Sequence, residues 1–285
     1  MLDSPPVHLC LLAHCVASSR APLVHPELFI PLADLDRLLE RLAEKKFLFC
    51  LPNALPQNAP KTCSFTFDDG YANNWRFLPL AEKYGLPFVL FLSSLNIAEQ
   101  LPFLWDAASL AGGPRKPLAE DYREAYRHLD EQAARKLLGD DNHRPFKMAE
   151  LQKFSANKWA HLALHTHCHQ PLVGRFVARA AAEVAENASF LVQFPRALVR
   201  DLAFPSGLYM PSTARMLLNG PVDRVYTVDG GGTEPDSSVV HRISLLNPQV
   251  GGDLLSQIDA SFSLRARLRR KVVNFRYSAP MLNRF

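Results

Sequence analysis

Short apolar runs recur along the chain: "VHLCLLAHCVA" (7–17), "CSFTF" (63–67), "PFVLFLSS" (87–94), "WAHLALHTH" (159–167), "VRDLAF" (199–204), "RVYTVD" (224–229) and "VVHRISLL" (239–246). Their length and their β-branched and aromatic content predict strands. Between most of them the apolar positions fall three or four apart. "PLADLDRLLERLAEKKF" sets Leu35, Leu38, Leu39 and Leu42 on one stripe, and "ARAAAEVAENASFLVQF" behaves in the same way, which predicts amphipathic helices. Strands alternating with helices give βαβ units and a mostly parallel sheet. The polar clusters "DDG", "HTHCH" and "FPSG" each follow directly after an apolar run. Barrel active sites are built at the C-terminal ends of several strands. The expected fold is therefore α/β: seven strands with helical crossovers can close into a (β/α) barrel or stay open, and the placing of these clusters favours the barrel.

Residues 1–260 read as one barrel domain, with a polar helical insertion near 112–146 that is too short to bury a core of its own. No internal repeat or low-complexity segment interrupts it. Residues 261–285 form a different segment, a basic amphipathic tail. It carries seven Lys or Arg and no acid against a net charge of +4 for the chain, so the rest sums to −3. In the tail Leu264, Leu268, Val272 and Phe275 share a helical stripe flanked by Arg265, Arg269, Arg270 and Arg276. Such a helix either docks on the barrel or lies on an anionic membrane surface.

A hydrophobic fraction of 48% in 285 residues supplies a sizeable core. No apolar run reaches the ~18 residues of a membrane span. The start of the chain lacks a basic n-region and its apolar stretch is broken by histidines, so it reads as a first strand and not as a secretion signal. Five cysteines, an odd number with no CxxC pair, fit a reduced cytoplasmic setting. The near-neutral body has no basic stripe for nucleic acid.

The candidate chemistry sits in Asp68, Asp69, His165, His167 and His169. A catalytic zinc takes three ligands from His and carboxylate and leaves a position for water. If 165–169 stays extended, all three histidines share a face; if it turns helically, His165 and His169 pair while His167 swings away. A regular strand would send Asp68 and Asp69 to opposite faces, and the turn at Gly70 relaxes that rule.

"TFDDG" (66–70) and "HTHCH" (165–169) resemble the first two motifs of the NodB-type polysaccharide deacetylases, and "LAFPSG" (202–207) is similar to the third. "LLAHCV" (11–16) resembles the N-terminal strand of one branch, and the likeness extends over roughly residues 7–245. The resemblance implies an irregular (β/α) barrel with about seven parallel strands. It also implies a divalent metal, zinc by preference, on Asp69, His165 and His169, with Asp68 as general base. Thr166 matches the residue that steadies the ligand loop. Ser206 would offer its N–H to an oxyanion, and His241, on the last strand, would be the acid. Tyr71 and Trp105 fall on the substrate side, Trp105 because aromatic faces stack on sugars.

The implied reaction removes an acetyl group from an N-acetylated sugar. Without a secretion signal, the substrate would be a glycan precursor inside the cell, in lipid-linked or nucleotide-linked form, met by a cytoplasmic enzyme with its tail at the inner membrane. Two rival readings stand beside it: a hydrolase of another C–N bond, such as a cyclic ureide or imide, and a catalytically weak glycan-binding protein. The sequence departs from the family where an Arg normally precedes the third-motif proline, since Ala203 occupies that place, and it lacks the Asp-x-Trp of the fourth motif. His14 is read as structural and Cys168 as no ligand.

Overall fold

The computed structural model describes residues 7–55, 61–113, 121–230 and 237–263. Seven parallel strands close on themselves: β1 (Val7–Ala13), β2 (Lys61–Phe67), β3 (Phe88–Leu92), β4 (Ala160–Leu164), β5 (Ala197–Ala203), β6 (Arg224–Thr227) and β7 (Val239–Ser244). Each pairs with the next and β7 pairs back onto β1, so the barrel has no open edge. The short strand Leu48–Phe49 lies beside the start of β2. Just past β1, Cys15–Ala17 pairs with Phe29–Pro31.

Strand alternation divides the core into two parts. Leu9, Leu11, Phe65, Phe67, Leu90 and Leu162 face outward and join the large apolar layer under the helices. That layer is covered by α1 (Leu32–Glu44), α2 (Leu78–Tyr84), α3 (Met148–Ala156), α4 (Ala180–Leu191), α5 (Pro211–Leu218) and α6 (Leu254–Ser261). The stripe Leu35, Leu38, Leu39 and Leu42 of α1 is wholly turned to it, each side chain contributing about 1.5–3 kcal/mol of apolar transfer. Local signals set the helix ends: α2 stops at Gly85 in the left-handed region (φ 60°), and α5 starts on Pro211. The opposite parity fills the barrel with Cys10, Val89, Phe91, Ala163, Ala203, Tyr226 and Val240. Among these lie buried polar groups, Ser64, Thr66 and Arg242.

Between β3 and α3 the chain makes short helices at Leu104–Leu110, Tyr122–Tyr126 and Glu131–Leu138. They pack over the C-terminal ends of the strands. Ala72 N–H donates to the Arg144 carbonyl and Phe146 N–H to that of Gly70, while Tyr122 N–H donates to Gln170 Oε1 at 2.8 Å. Residues 114–120 of this insertion, and all of the tail beyond residue 263, lie outside the described residues. Among the described residues no helix is long and apolar enough to cross a membrane.

Candidate active site

At the end of β2 the chain must send two consecutive aspartates toward one place. Asp68 continues the inward parity of Ser64 and Thr66. Asp69 then takes a left-handed conformation (φ 77°) and Gly70 follows at φ 101°, which breaks the alternation and brings both carboxylates inward. Gly70 is required there: a Cβ would stand 3.1 Å from Leu92 Cβ as well as strain the backbone.

The loop after β4 is neither extended nor helical. Thr166 (φ 63°) and His169 (φ 59°) are both left-handed, and bonds from α4 hold them so. Asn187 Oδ1 accepts the His165 N–H at 2.8 Å, and Glu183 Oε2 accepts the Cys168 N–H at 3.0 Å. Glu183 and Asn187 are buried and one turn apart, so a single helix face fixes the loop. His165 and His169 converge on Asp69. His167 turns away, with Nδ1 2.9 Å from Ser94 Oγ. The Cys168 thiol donates to Glu183 Oε1 at 3.1 Å and is no part of the cluster.

Asp69 Oδ1 lies 3.4 Å from His165 Nε2 and 3.2 Å from His169 Nε2, and a ligand atom from each of the three residues lies within 4.8 Å of the others. Bond lengths of about 2.0–2.2 Å at tetrahedral angles place donor atoms about 3.3–3.6 Å apart, so this trio has the spacing a divalent metal needs. His165 Nδ1 donates to the Ala203 carbonyl at 2.9 Å. That bond fixes the tautomer and leaves the Nε2 lone pair facing Asp69. Burial pushes His169 down to about 4, so its ring is neutral at pH 7 as a ligand must be. Burial alone would raise the Asp69 carboxyl, but the imidazoles of His165 and His169 outweigh it and hold it well below the usual carboxylate range.

A cavity of about 330 Å³ opens over the trio, near the small end of ligand pockets. Asp68, Asp69, His165 and His169 line it with His14, His25, Trp105, Tyr122, Ser206 and Val228. Ser206 sits on the rim in the left-handed region (φ 56°).

The sequence matches the polysaccharide deacetylase family over residues 56–220, more than half of the chain. The chain belongs to the polysaccharide deacetylase family. It is a hydrolase of amide bonds that acts on a carbohydrate. No curated protein matches the sequence. Among solved structures, IcaB from Ammonifex degensii is similar at 17% identity, with a TM-score of 0.61 over 92% of this chain and 97% of that one. The Streptococcus pyogenes deacetylase PplD, solved in complex with acetate, is 16% identical with a TM-score of 0.59 over 90% and 98%. BC0361, a polysaccharide deacetylase from Bacillus cereus, is 12% identical with a TM-score of 0.61 over 89% and 69%. These likenesses show the fold.

In this deacetylase the missing third-motif arginine has a structural counterpart. Arg242, on β7, enters the barrel interior and holds Asp68 with two nitrogens, Nη1 to Oδ1 at 2.6 Å and Nη2 to Oδ2 at 2.8 Å. Its guanidinium lies over the Phe91 ring at 5.2 Å, and Ala203, where the family resemblance predicts an Arg, lies in the interior cluster with Phe91. Burial pushes Asp68 up, while the charge of Arg242, with His165 and the paired hydrogen bonds, brings it below the usual range.

Three residues read from the sequence stand elsewhere than expected. His241 neighbours Arg242 on β7, so strand parity turns it out of the barrel. It lies 2.9 Å from Thr227 Oγ1 and 3.6 Å from Asp229 and does not line the cavity. Tyr71 is buried behind the cavity, its hydroxyl donating to Asp106 at 3.0 Å. Conversely His14, read as structural, lines the cavity, and its Nδ1 is buried with no hydrogen-bond partner. The signal for His14 was present: it is a polar residue directly after an apolar strand, as "DDG" and "HTHCH" are. Trp105 does line the cavity, and its ring stands 4.3 Å from that of His169.

Proposed function

We propose that this polysaccharide deacetylase removes acetyl groups from N-acetylated sugar units with a divalent metal held by Asp69, His165 and His169. The observation that carries the reading is the meeting, in one cavity, of that donor trio, of Asp68 clamped by Arg242 and of the unpartnered His14. One carboxylate and two imidazoles suit zinc. When bound, the metal supplies acidified water and polarises the acetyl oxygen.

The chain's own groups do the rest. Asp68 takes a proton from the attacking water, and Arg242 keeps it ionised and aimed for that task. The Ser206 N–H stabilises the charge that develops on the acetyl oxygen. His14 replaces His241 beside the departing nitrogen. Burial lowers its pKa, so it enters as a neutral imidazole whose N–H steadies the amine, while the proton held by Asp68 passes to nitrogen as the C–N bond breaks. The products are acetate and the free amino sugar; PplD, of the same fold, was solved with acetate. That the enzyme works in the cytoplasm on a precursor, with its tail at the inner membrane, rests on the sequence alone.

The test is metal content and acetate release on the same samples of wild type, Asp68→Asn and His165→Ala, with N-acetylglucosamine oligomers as substrate. Wild type should hold about one metal per chain and release acetate. Asp68→Asn should keep the metal and lose about 10²–10⁴-fold in turnover, and His165→Ala should lose both. Metal without acetate from any amino sugar would move the assignment to another C–N bond or to a binder.

A further inference from the structure

His169 lacks the support that His165 has. A metal-ligating imidazole usually donates its second nitrogen to a carbonyl or carboxylate, which fixes its orientation. His165 does so through the Ala203 carbonyl. His169 Nδ1 is buried and has no hydrogen-bond partner, and the residue sits in a left-handed backbone conformation (φ 59°) that its side chain does nothing to explain.

What touches the ring is aromatic. The Trp105 ring lies at 4.3 Å between centroids, tilted by 46°, and Tyr122 is stacked at 6.1 Å with 16° between the planes. Both are buried. Trp105 is itself held in place: its Nε1–H donates to Tyr71 Oη at 2.9 Å, and Tyr71 donates to Asp106 Oδ2 at 3.0 Å. Asp106 Oδ2 also lies 3.0 Å from His143 Nδ1. The Leu23 N–H donates to His143 Nε2 at 3.0 Å, so the proton of that ring is on Nδ1 and points at Asp106. Phe103 packs against both Tyr71 and Trp105, at 4.0 and 5.2 Å. The chain His143–Asp106–Tyr71–Trp105 thus runs from the 140–146 segment through the interior of the insertion and ends on the face of a metal ligand.

We infer that Trp105 and Tyr71 are positioning residues for the metal: an aromatic clamp, locked by a buried hydrogen-bond chain, orients His169 in place of the hydrogen bond its Nδ1 lacks. The inference rests on the metal reading above. It explains why Tyr71 follows the "DDG" turn directly. Its backbone belongs to the aspartate loop while its hydroxyl serves the histidine loop, so one residue couples the two halves of the site. It also gives the Trp-Asp pair at 105–106 a role without contact to the sugar.

Stacking restricts the tilt of a ring and leaves its Nε2 lone pair untouched, so loosening the clamp should weaken metal binding without removing a ligand. Full-length wild type, Tyr71→Phe, Trp105→Phe and Trp105→Leu would be titrated with zinc against a chromophoric chelator, and the visible spectrum of the cobalt-loaded proteins recorded. Phe154→Leu, in the outer core and with no ring contact to Tyr71, Phe103, Trp105 or His169, serves as a comparison for general destabilisation. Tyr71→Phe and Trp105→Leu should weaken zinc binding about 10–100-fold, as loss of outer-sphere support does elsewhere, with a changed cobalt spectrum, and Trp105→Phe should fall between them and wild type. Phe154→Leu should lower the Tm of the metal-free protein and leave affinity and spectrum in place. Wild-type affinity and spectrum in both Tyr71→Phe and Trp105→Leu would overturn the clamp while leaving the metal reading intact. A wild type that binds no metal would overturn both.

Discussion

The Arg242–Asp68 pair is almost wholly buried: the guanidinium has no exposed surface, and both carboxylate oxygens are engaged by it although Asp68 borders the cavity. In such a pair the loss of one partner is worse than the loss of both, because the survivor keeps its desolvation penalty without compensation. Arg242→Met should therefore destabilise the metal-free protein by about 3–5 kcal/mol, and Asp68→Asn on top of it should restore much of that. Denaturant unfolding of the two single variants and the double variant checks the point, and additive losses would count against a mutual charge role. The same geometry shows what could be read from residues and what could not. Asp69, His165 and His169 were legible through the family resemblance of two motifs, since residue chemistry alone left Asp68, Asp69, His165, His167 and His169 all as candidates. His241 was chosen for the site ahead of its neighbour Arg242, because adjacent residues on one strand take opposite faces and the sequence gives parity only up to a choice of face. Apolar Val240 and Ile243 stand on either side of the pair, so neither face was marked as interior.

At the scale of elements, the seven strands and the α1 stripe followed from periodicity alone, because burial of one face is a local pattern repeated many times. The loops that make the site are different. Asp69, Thr166, His169 and Ser206 all hold positive φ without being glycine, a conformation their own propensities disfavour. It persists because distant groups hold it, such as Glu183 and Asn187 from α4 for the histidine loop, and no local pattern encodes those bonds. The "FPSG" turn after β5 depends in turn on Gly207. Its φ is +65°, and a Cβ would come within 2.0 Å of Val228 Cγ2. Gly207→Ala should then displace the Ser206 rim, destabilise by about 1–3 kcal/mol, and reduce kcat more than it raises KM, since Ser206 is assigned to the developing charge. Gly207→Ala with Val228→Ala removes the clash with the γ-carbons but keeps the 3.1 Å approach to Cβ and the strained φ, so only part of the loss should return. Full recovery in the double variant would show that contact and not backbone strain sets the requirement.

Across the whole molecule, the closed barrel separates a reactive end from a structural one. The C-terminal ends of the strands carry Asp68, Asp69, His165 and His14, while the N-terminal end is sealed by buried side chains that the reaction does not use. His8, the second residue of β1, is the informative one there. Its Nδ1 lies 2.8 Å from Thr62 Oγ1, its Nε2 is buried without a partner, and burial pushes its pKa from 6.5 down to about 4. A histidine with a depressed folded pKa favours the native state above its unfolded pKa. Below 6.5 the unfolded chain takes up a proton that the folded one refuses, and stability falls until the folded group titrates near 4. A shift of this size corresponds to about 3 kcal/mol in full, most of it lost by pH 4.5. His169 and His14 are depressed as well, so the wild-type slope alone would not isolate His8. His8→Gln keeps a polar group within reach of Thr62 and cannot titrate. Urea unfolding of the metal-free proteins at pH 7.5 and 4.5 should show wild type losing about 2–3 kcal/mol more than His8→Gln over that interval. Equal losses in the two proteins would mean that the barrel floor admits the charged ring, and that acid sensitivity of the fold arises at the reactive end alone.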